Sequence, residues 1–149
     1  MMYIALLVLH LTGSAAWLGG HVVLLFVAAP AARRAESAQP VIDFERSFGR
    51  IGLVALGVQV ATGVLLARRY IGDWGTIFSS PTPAVRLLLV KITLLALIVV
   101  LAGHATHRLL PKLTYERLGR FIAHSWIVTI LSLMLLVCGV GVRCGGLWA

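Results

Sequence analysis

The residues of this chain best suited to chemistry are histidines that lie within hydrophobic stretches. His10 and His21 belong to a run over residues 3–29 that carries no charged side chain. At 100° per residue these two histidines share one narrow helical stripe with Ser14 and Trp17. Polar side chains are costly to expose to lipid, so we expect the stripe to face other helices rather than acyl chains.

The composition is that of an integral membrane protein. The chain has 149 residues, of which 60% are hydrophobic and 12% charged, and its mean hydropathy is +0.98. A formal net charge of +8 would suit nucleic acid in a soluble protein. Here the positive side chains flank hydrophobic runs, where they contact lipid headgroups. We therefore expect the lipid bilayer as a partner and no nucleic acid.

Four hydrophobic segments must position these side chains, and they predict an all-α integral membrane four-helix up-down bundle. The chain is expected to form a single four-span domain over residues 1–149, with spans at about 3–29, 51–69, 85–105 and 121–142. Short connections favour antiparallel packing of successive helices. Pro40 and the charges of the polar connection after Pro30 are expected to stop the first helix. The end of that connection, FERSFGR, is a candidate for an interfacial helix that runs into the second span.

Basic residues predict the orientation of the bundle. The two connections on one side hold eight of them and the opposite side holds four. The eight are Arg33, Arg34, Arg46, Arg50, Arg108, Lys112, Arg117 and Arg120, and the four are Arg68, Arg69, Arg86 and Arg143. The positive-inside rule places the richer side in the cytoplasm. We therefore expect both termini outside the cytoplasm, which for a bacterial inner-membrane protein is the periplasm.

A first candidate site is a histidine cluster on the cytoplasmic side. Because successive spans reverse direction, three helices bring four histidines to a similar depth in the membrane: His21, His104, His107 and His124. Imidazole is the commonest metal ligand and an axial ligand of haem iron, and bundle cores hold such sites. His21 with His124 is the first pair expected. His104 and His107 both contribute only if the third helix extends past Gly103.

A second candidate site lies in the outer half and combines His10, Lys91, Met134 and Cys138. Thioether and thiolate ligands beside a histidine suit Cu(I), and histidine with methionine also suits haem. Lys91 and His104 lie about 140° apart on one helix, so they do not both point at the bundle axis. The competing interpretations are core packing for Met134 and Cys138 and snorkelling to headgroups for Lys91.

Three segments of the chain resemble a known family. They read LHLTGSAAWLGG at the start, ATGVLLARRY at the end of the second span, and VRLLLVKITLLALIVVLAGHATHRLLPKL through the third. They look like the copper resistance protein D family, and the resemblance covers most of the chain. It implies an inner-membrane protein that acts in copper uptake or resistance with a periplasmic copper protein as partner.

The same segments are also similar to the HemJ-type membrane protoporphyrinogen oxidases. Members of that family have four spans, with a histidine in the first and a lysine in the third. On that resemblance His10 and Lys91 carry over as haem-associated positions.

Three hypotheses for function follow. The first is a metal-binding protein of the copper resistance D type that handles copper or electrons at a histidine site inside the bundle. The second is a haem b redox protein, either an electron-transfer subunit with a redox partner or a protoporphyrinogen oxidase, with His21 and His124, or His10, as axial ligands. The third is a structural subunit of a larger complex. Three questions stay open: whether the cofactor is copper or haem, whether the chain forms a homo- or hetero-oligomer, and whether Cys138 pairs with Cys144.

Overall fold

Four long helices make up the part of the chain that the computed structural model describes, which is residues 1–68, 71 and 82–144. All four are long and apolar enough to cross a membrane: α1 (Met2–Arg34), α2 (Gln39–Ala67), α3 (Val85–Lys112) and α4 (Tyr115–Arg143). No strand occurs among the described residues. The prediction of an all-α membrane bundle is therefore confirmed.

Helix α1 continues past Pro30, which follows the predicted end of the first span. Proline lacks a backbone N–H, and its ring crowds the carbonyl of the preceding turn, so a regular α-helix would break there. The turn Leu24–Ala28 in front of Pro30 is π-helical, and the extra residue in this wider turn takes up the misfit. The helix then continues through Ala29–Arg34.

A tight turn joins α1 to α2. The amide of Ser37 donates to the carbonyl of Ala32, and that of Glu36 donates to Arg33. Glu36 has a φ of 47°, the left-handed conformation that commonly closes a helix C-terminus. Pro40 lies in the first turn of α2, where its missing N–H needs no partner. The first helix thus ends among the charges of the predicted connection, but Pro40 does not stop it, because this proline begins the second helix.

Helix α3 has clear signals at both of its ends. The hydroxyl of Thr82 accepts a hydrogen bond of 3.3 Å from the amide of Val85, which caps the first turn. At the other end a second π-helical turn, Ala105–Leu109, precedes Pro111. The helix therefore extends past Gly103, which a site containing both His104 and His107 requires.

The helices pack as two hairpins. Contact is most extensive between α1 and α2 and between α3 and α4, and α1 also packs on α4. The rings of Phe26 and Trp126 meet edge to face at this α1–α4 seam, with centroids 5.6 Å apart. By contrast, α2 and α3 make few contacts. The bundle is therefore least tightly closed between its second and third helices.

Buried apolar clusters hold the bundle at both ends and in the middle. Val41 and Phe121 belong to the cluster at the end that carries the turn between α1 and α2. Leu88 belongs to the cluster at the other end, and Ile98 to the one between them. Large apolar side chains also cover the outer surface of the helices, as expected where lipid is the solvent.

Most of the arginines and lysines lie at one end of the bundle, which we call the basic end. It carries the turn between α1 and α2 and the connection between α3 and α4.

The second helix begins at Gln39 rather than near the predicted 51, while position 69, the predicted end of that span, lies outside the described residues. Charged residues at this end stay helical beyond the hydrophobic span because headgroups and water solvate their side chains.

Candidate functional site

The polar stripe on α1 faces the other helices, as the sequence predicts. His10 is buried, and its Nδ1 lies 2.8 Å from the hydroxyl oxygen of Thr62 on α2. The Thr62 hydroxyl donates to the carbonyl of Val58 at 2.6 Å, so its oxygen accepts from the Nδ1–H of His10. In this neutral tautomer Nε2 carries a free lone pair.

Gln59 of α2 binds the middle of the stripe. Its side-chain amide donates to the backbone carbonyl of His10 and, at 2.6 Å, to the hydroxyl of Ser14. Gly13 lies against the same side chain and against the carbonyl of Ala55. Small residues let membrane helices approach closely enough for such bonds. The α1–α2 contact is thus both tightly packed and hydrogen-bonded.

Trp17 connects the stripe to α4. Its indole N–H donates to the hydroxyl of Ser132 at 3.0 Å, and that hydroxyl donates in turn to the carbonyl of Val128 at 2.7 Å. The indole ring also lies beside the imidazole of His21, with centroids 4.7 Å apart. Trp17 therefore positions His21 as well as joining two helices.

The Trp17–Ser132 hydrogen bond is expected to stabilise the fold modestly. In a double-mutant cycle with Trp17→Phe and Ser132→Ala, we expect a coupling of about 0.6 kcal/mol, typical of interhelical bonds in membranes. The measurement is the free energy of unfolding in mixed micelles. Thr93→Ala is the matched control, because the Thr93 hydroxyl bonds within its own helix. Equal coupling of Trp17→Phe to Ser132→Ala and to Thr93→Ala would show that the bond contributes nothing.

A small pocket lies near the basic end, and we call it the basic-end pocket. Its volume is about 80 Å³, and His21, His124 and Glu45 are among its lining residues. The Nδ1 of His21 lies 3.0 Å from the carbonyl of Trp17. The Nε2 of His124 lies 3.0 Å from the carbonyl of Leu101. A carbonyl only accepts, so each neutral ring keeps a lone pair on its other nitrogen.

The four histidines predicted to cluster here are only partly brought together. His21 and His124 line the same pocket, and the rings of His104 and His124 are 5.8 Å apart. His104 and His107 are both exposed, and neither lines the pocket. Over residues 1–68, 71 and 82–144, no three His, Cys, Asp or Glu side chains are grouped closely enough to hold a metal ion. The structure thus offers a histidine pair rather than a closed site.

Glu45 is the pocket residue that sequence reasoning missed. Its carboxylate is partly buried and has no ion-pair partner among the residues described. A signal was available, because Glu45 precedes Gly52 by seven residues and so lies within about 20° of it on one helical face. Gly52 and Gln59 continue that face towards α1. The acidic residue was overlooked because it lies outside the predicted span.

A much larger cavity occupies the opposite half of the bundle, and we call it the large cavity. Its volume is about 450 Å³, and all four helices line it. The lining is mainly apolar, and its polar exceptions include Tyr3, His10, Ser14, Gln59, Lys91, Ser132 and Arg143. Sites for small organic molecules have this character and size.

The predicted outer site is assembled only in part. His10 and Lys91 line the large cavity together, and Cys138 is buried and close enough to Lys91 to interact electrostatically. Met134 is 48% exposed and does not line the cavity. It lies about 200° round α4 from the inward-facing Ser132, so its thioether belongs to the lipid-facing surface. The predicted outer site therefore lacks its methionine. Both Cys138 and Cys144 are free thiols.

Comparison with known families decides the identity of the chain. A family model described as Copper resistance protein D matches residues 42–142, which is about two thirds of the chain. The chain belongs to the copper resistance protein D family. No curated protein and no solved structure matches it.

Membership of the copper resistance protein D family confirms part of the prediction. It makes the chain a copper-resistance membrane protein in general terms and associates it with copper. The matched range includes Lys91, His104 and His124, whereas His10 and His21 precede it. The resemblance to the HemJ-type oxidases receives no support from these comparisons.

Proposed function

We propose that this copper resistance protein D family member carries copper across the bacterial inner membrane and holds the ion in passing at the basic-end pocket. In this proposal the basic end faces the cytoplasm, as the positive-inside rule favours, and both termini are periplasmic. Copper is cargo, received from a periplasmic copper protein.

The observation that carries the proposal is the pair of free imidazole nitrogens at one pocket. His21 and His124 each donate one ring N–H to a backbone carbonyl. Such bonds fix the tautomer and orientation of a metal-binding histidine. The remaining Nε2 of His21 and Nδ1 of His124 carry the lone pairs that a metal ion requires, and both rings line the pocket.

The donor set suits copper held in transit. Imidazole nitrogen is a ligand that copper accepts, and Glu45 lines the same pocket with an anion that offsets part of the charge of the ion. A pocket of about 80 Å³ has room for an ion with one or two water molecules. Because the described residues supply a pair of histidines and no closed group of three, the site favours release over permanent storage.

Haem b fits the basic-end pocket poorly. A porphyrin bound by both His21 and His124 would need a cavity several times larger than the pocket of roughly 80 Å³ that these two side chains line. His10 and His124 line different cavities, so they do not form an axial pair. We therefore take copper as the proposed cargo.

The experiment is copper binding and uptake with the purified protein in liposomes. We expect at least one copper ion bound per chain after loading and desalting, and copper accumulation above that of empty liposomes. Binding should weaken on acidification, since protons compete with copper for imidazole nitrogen. An absorption spectrum with a Soret band would favour the haem hypothesis. Metal content at background, with normal folding, would leave the structural-subunit hypothesis.

A further inference from the structure

Lys91 is a cation within the first two turns of α3, which begins at Val85, and it lines the large cavity. The described carboxylates Glu36, Asp43, Glu45 and Glu116 all lie at the basic end, at the other end of the helices. Lys91 has no ion-pair partner among the residues described. A buried or half-buried charge in a membrane is costly unless something compensates it.

A second cation, Arg143, lies one helical turn along α4 from Gly139, the residue that the Lys91 ammonium approaches. The Nζ of Lys91 is 3.1 Å from the position that a Cβ would take on Gly139, so the lysine reaches across to α4. Gly139 and Arg143 are four residues apart and share one face of that helix, and both line the large cavity. The cavity therefore has a doubly cationic wall towards the end opposite the basic end.

The rest of the cavity suits a hydrocarbon chain. Its surface is mainly apolar, and the cavity extends to the gap between α2 and α3, where the helices make few contacts. Val60, Val64 and Ile92 line the cavity and are also exposed on the outside of the bundle. The cavity is therefore open sideways to the bilayer, which is the route by which a lipid tail enters.

We propose that the large cavity binds an anionic phospholipid, with one acyl chain inside it and the headgroup phosphate between Lys91 and Arg143. A zwitterionic lipid offers the same chain but places a cation beside its phosphate, which Lys91 and Arg143 repel. Basic pockets between membrane helices recognise anionic headgroups by the same charge complementarity. The chemistry of this site, apolar and cationic, differs from that of the basic-end pocket, so it does not depend on the copper proposal.

The test is native mass spectrometry of the full chain with phosphatidylglycerol or phosphatidylcholine carrying identical acyl chains. We expect one phosphatidylglycerol per chain, preferred about tenfold over phosphatidylcholine. Lys91→Gln should reduce that preference to about twofold or less, whereas Lys91→Arg should keep it. Arg68→Gln is the matched control, because Arg68 is an exposed cation near the same end and does not line the cavity.

A second variant tests the chain-binding part without changing charge. Val60→Trp is expected to fill the cavity mouth and to lower retention of both lipids at least fivefold, with an unchanged melting temperature. The proposal is overturned if Lys91→Gln keeps the preference, if Arg68→Gln removes it equally, or if Val60→Trp retains lipid as the unaltered chain does.

Discussion

Copper binding by the His21→Ala and His124→Ala variants is expected to be at least about tenfold weaker than that of the unaltered chain, a difference of about 1.4 kcal/mol or more. Each substitution removes one of the two free imidazole nitrogens at the basic-end pocket. Because the pocket offers only a pair of histidine ligands, the loss of either one leaves the copper ion with a single imidazole nitrogen. The measurement is a competition titration against a copper chelator of known affinity.

His107→Ala is the matched control for these two variants. His107 belongs to α3 near the same end, but it is exposed and does not line the basic-end pocket. It should bind copper as the unaltered chain does. The double variant His21→Ala/His124→Ala should be little weaker than either single one, because both act on one site. Equal losses for His107→Ala and His21→Ala would indicate surface binding and contradict the proposal.

Gly13→Leu is expected to lower the free energy of unfolding by about 2 kcal/mol, the typical cost of overpacking. A Cβ on Gly13 would lie 3.2 Å from the carbonyl oxygen of Ala55 and 3.3 Å from the side-chain nitrogen of Gln59. A backbone carbonyl does not rotate away, so α1 and α2 must separate. Unfolding in mixed micelles, followed by circular dichroism, measures the effect.

Gly19→Leu is the control for Gly13→Leu on the same helix. Nothing lies within 4 Å of a Cβ on Gly19, and leucine is the better helix former by roughly 0.8 kcal/mol. We therefore expect Gly19→Leu to be neutral or slightly stabilising. Two leucine variants with the same stability would mean that the close approach of α1 and α2 does not contribute to the fold.

Much of this architecture is predictable because lipid leaves few alternatives. Backbone groups must be satisfied within each span, so hydrophobic length alone indicates a helix. The cost of polar groups in lipid likewise places the stripe of His10 and Trp17 inside the bundle. Both predictions depend on one segment at a time, and each needs only the periodicity of a helix.

The features that the sequence predicted incompletely depend on more than one helix or on local backbone geometry. Met134 was grouped with Cys138 by the chemistry of its sulfur, although its angle from Ser132 points it at lipid. Glu45 was left out because it lies beyond the apolar run. The gap between α2 and α3 depends on side-chain volumes in both helices, and composition does not reveal it.

The π-helical turns before Pro30 and Pro111 have a consequence for how relatives of this chain are to be aligned. Each such turn holds one residue more than a regular turn. A relative with a regular turn at either place would be shorter by one position and still present the same faces. An ungapped comparison would rotate every later position of that helix by about 100°, exchanging lipid-facing residues for interior ones.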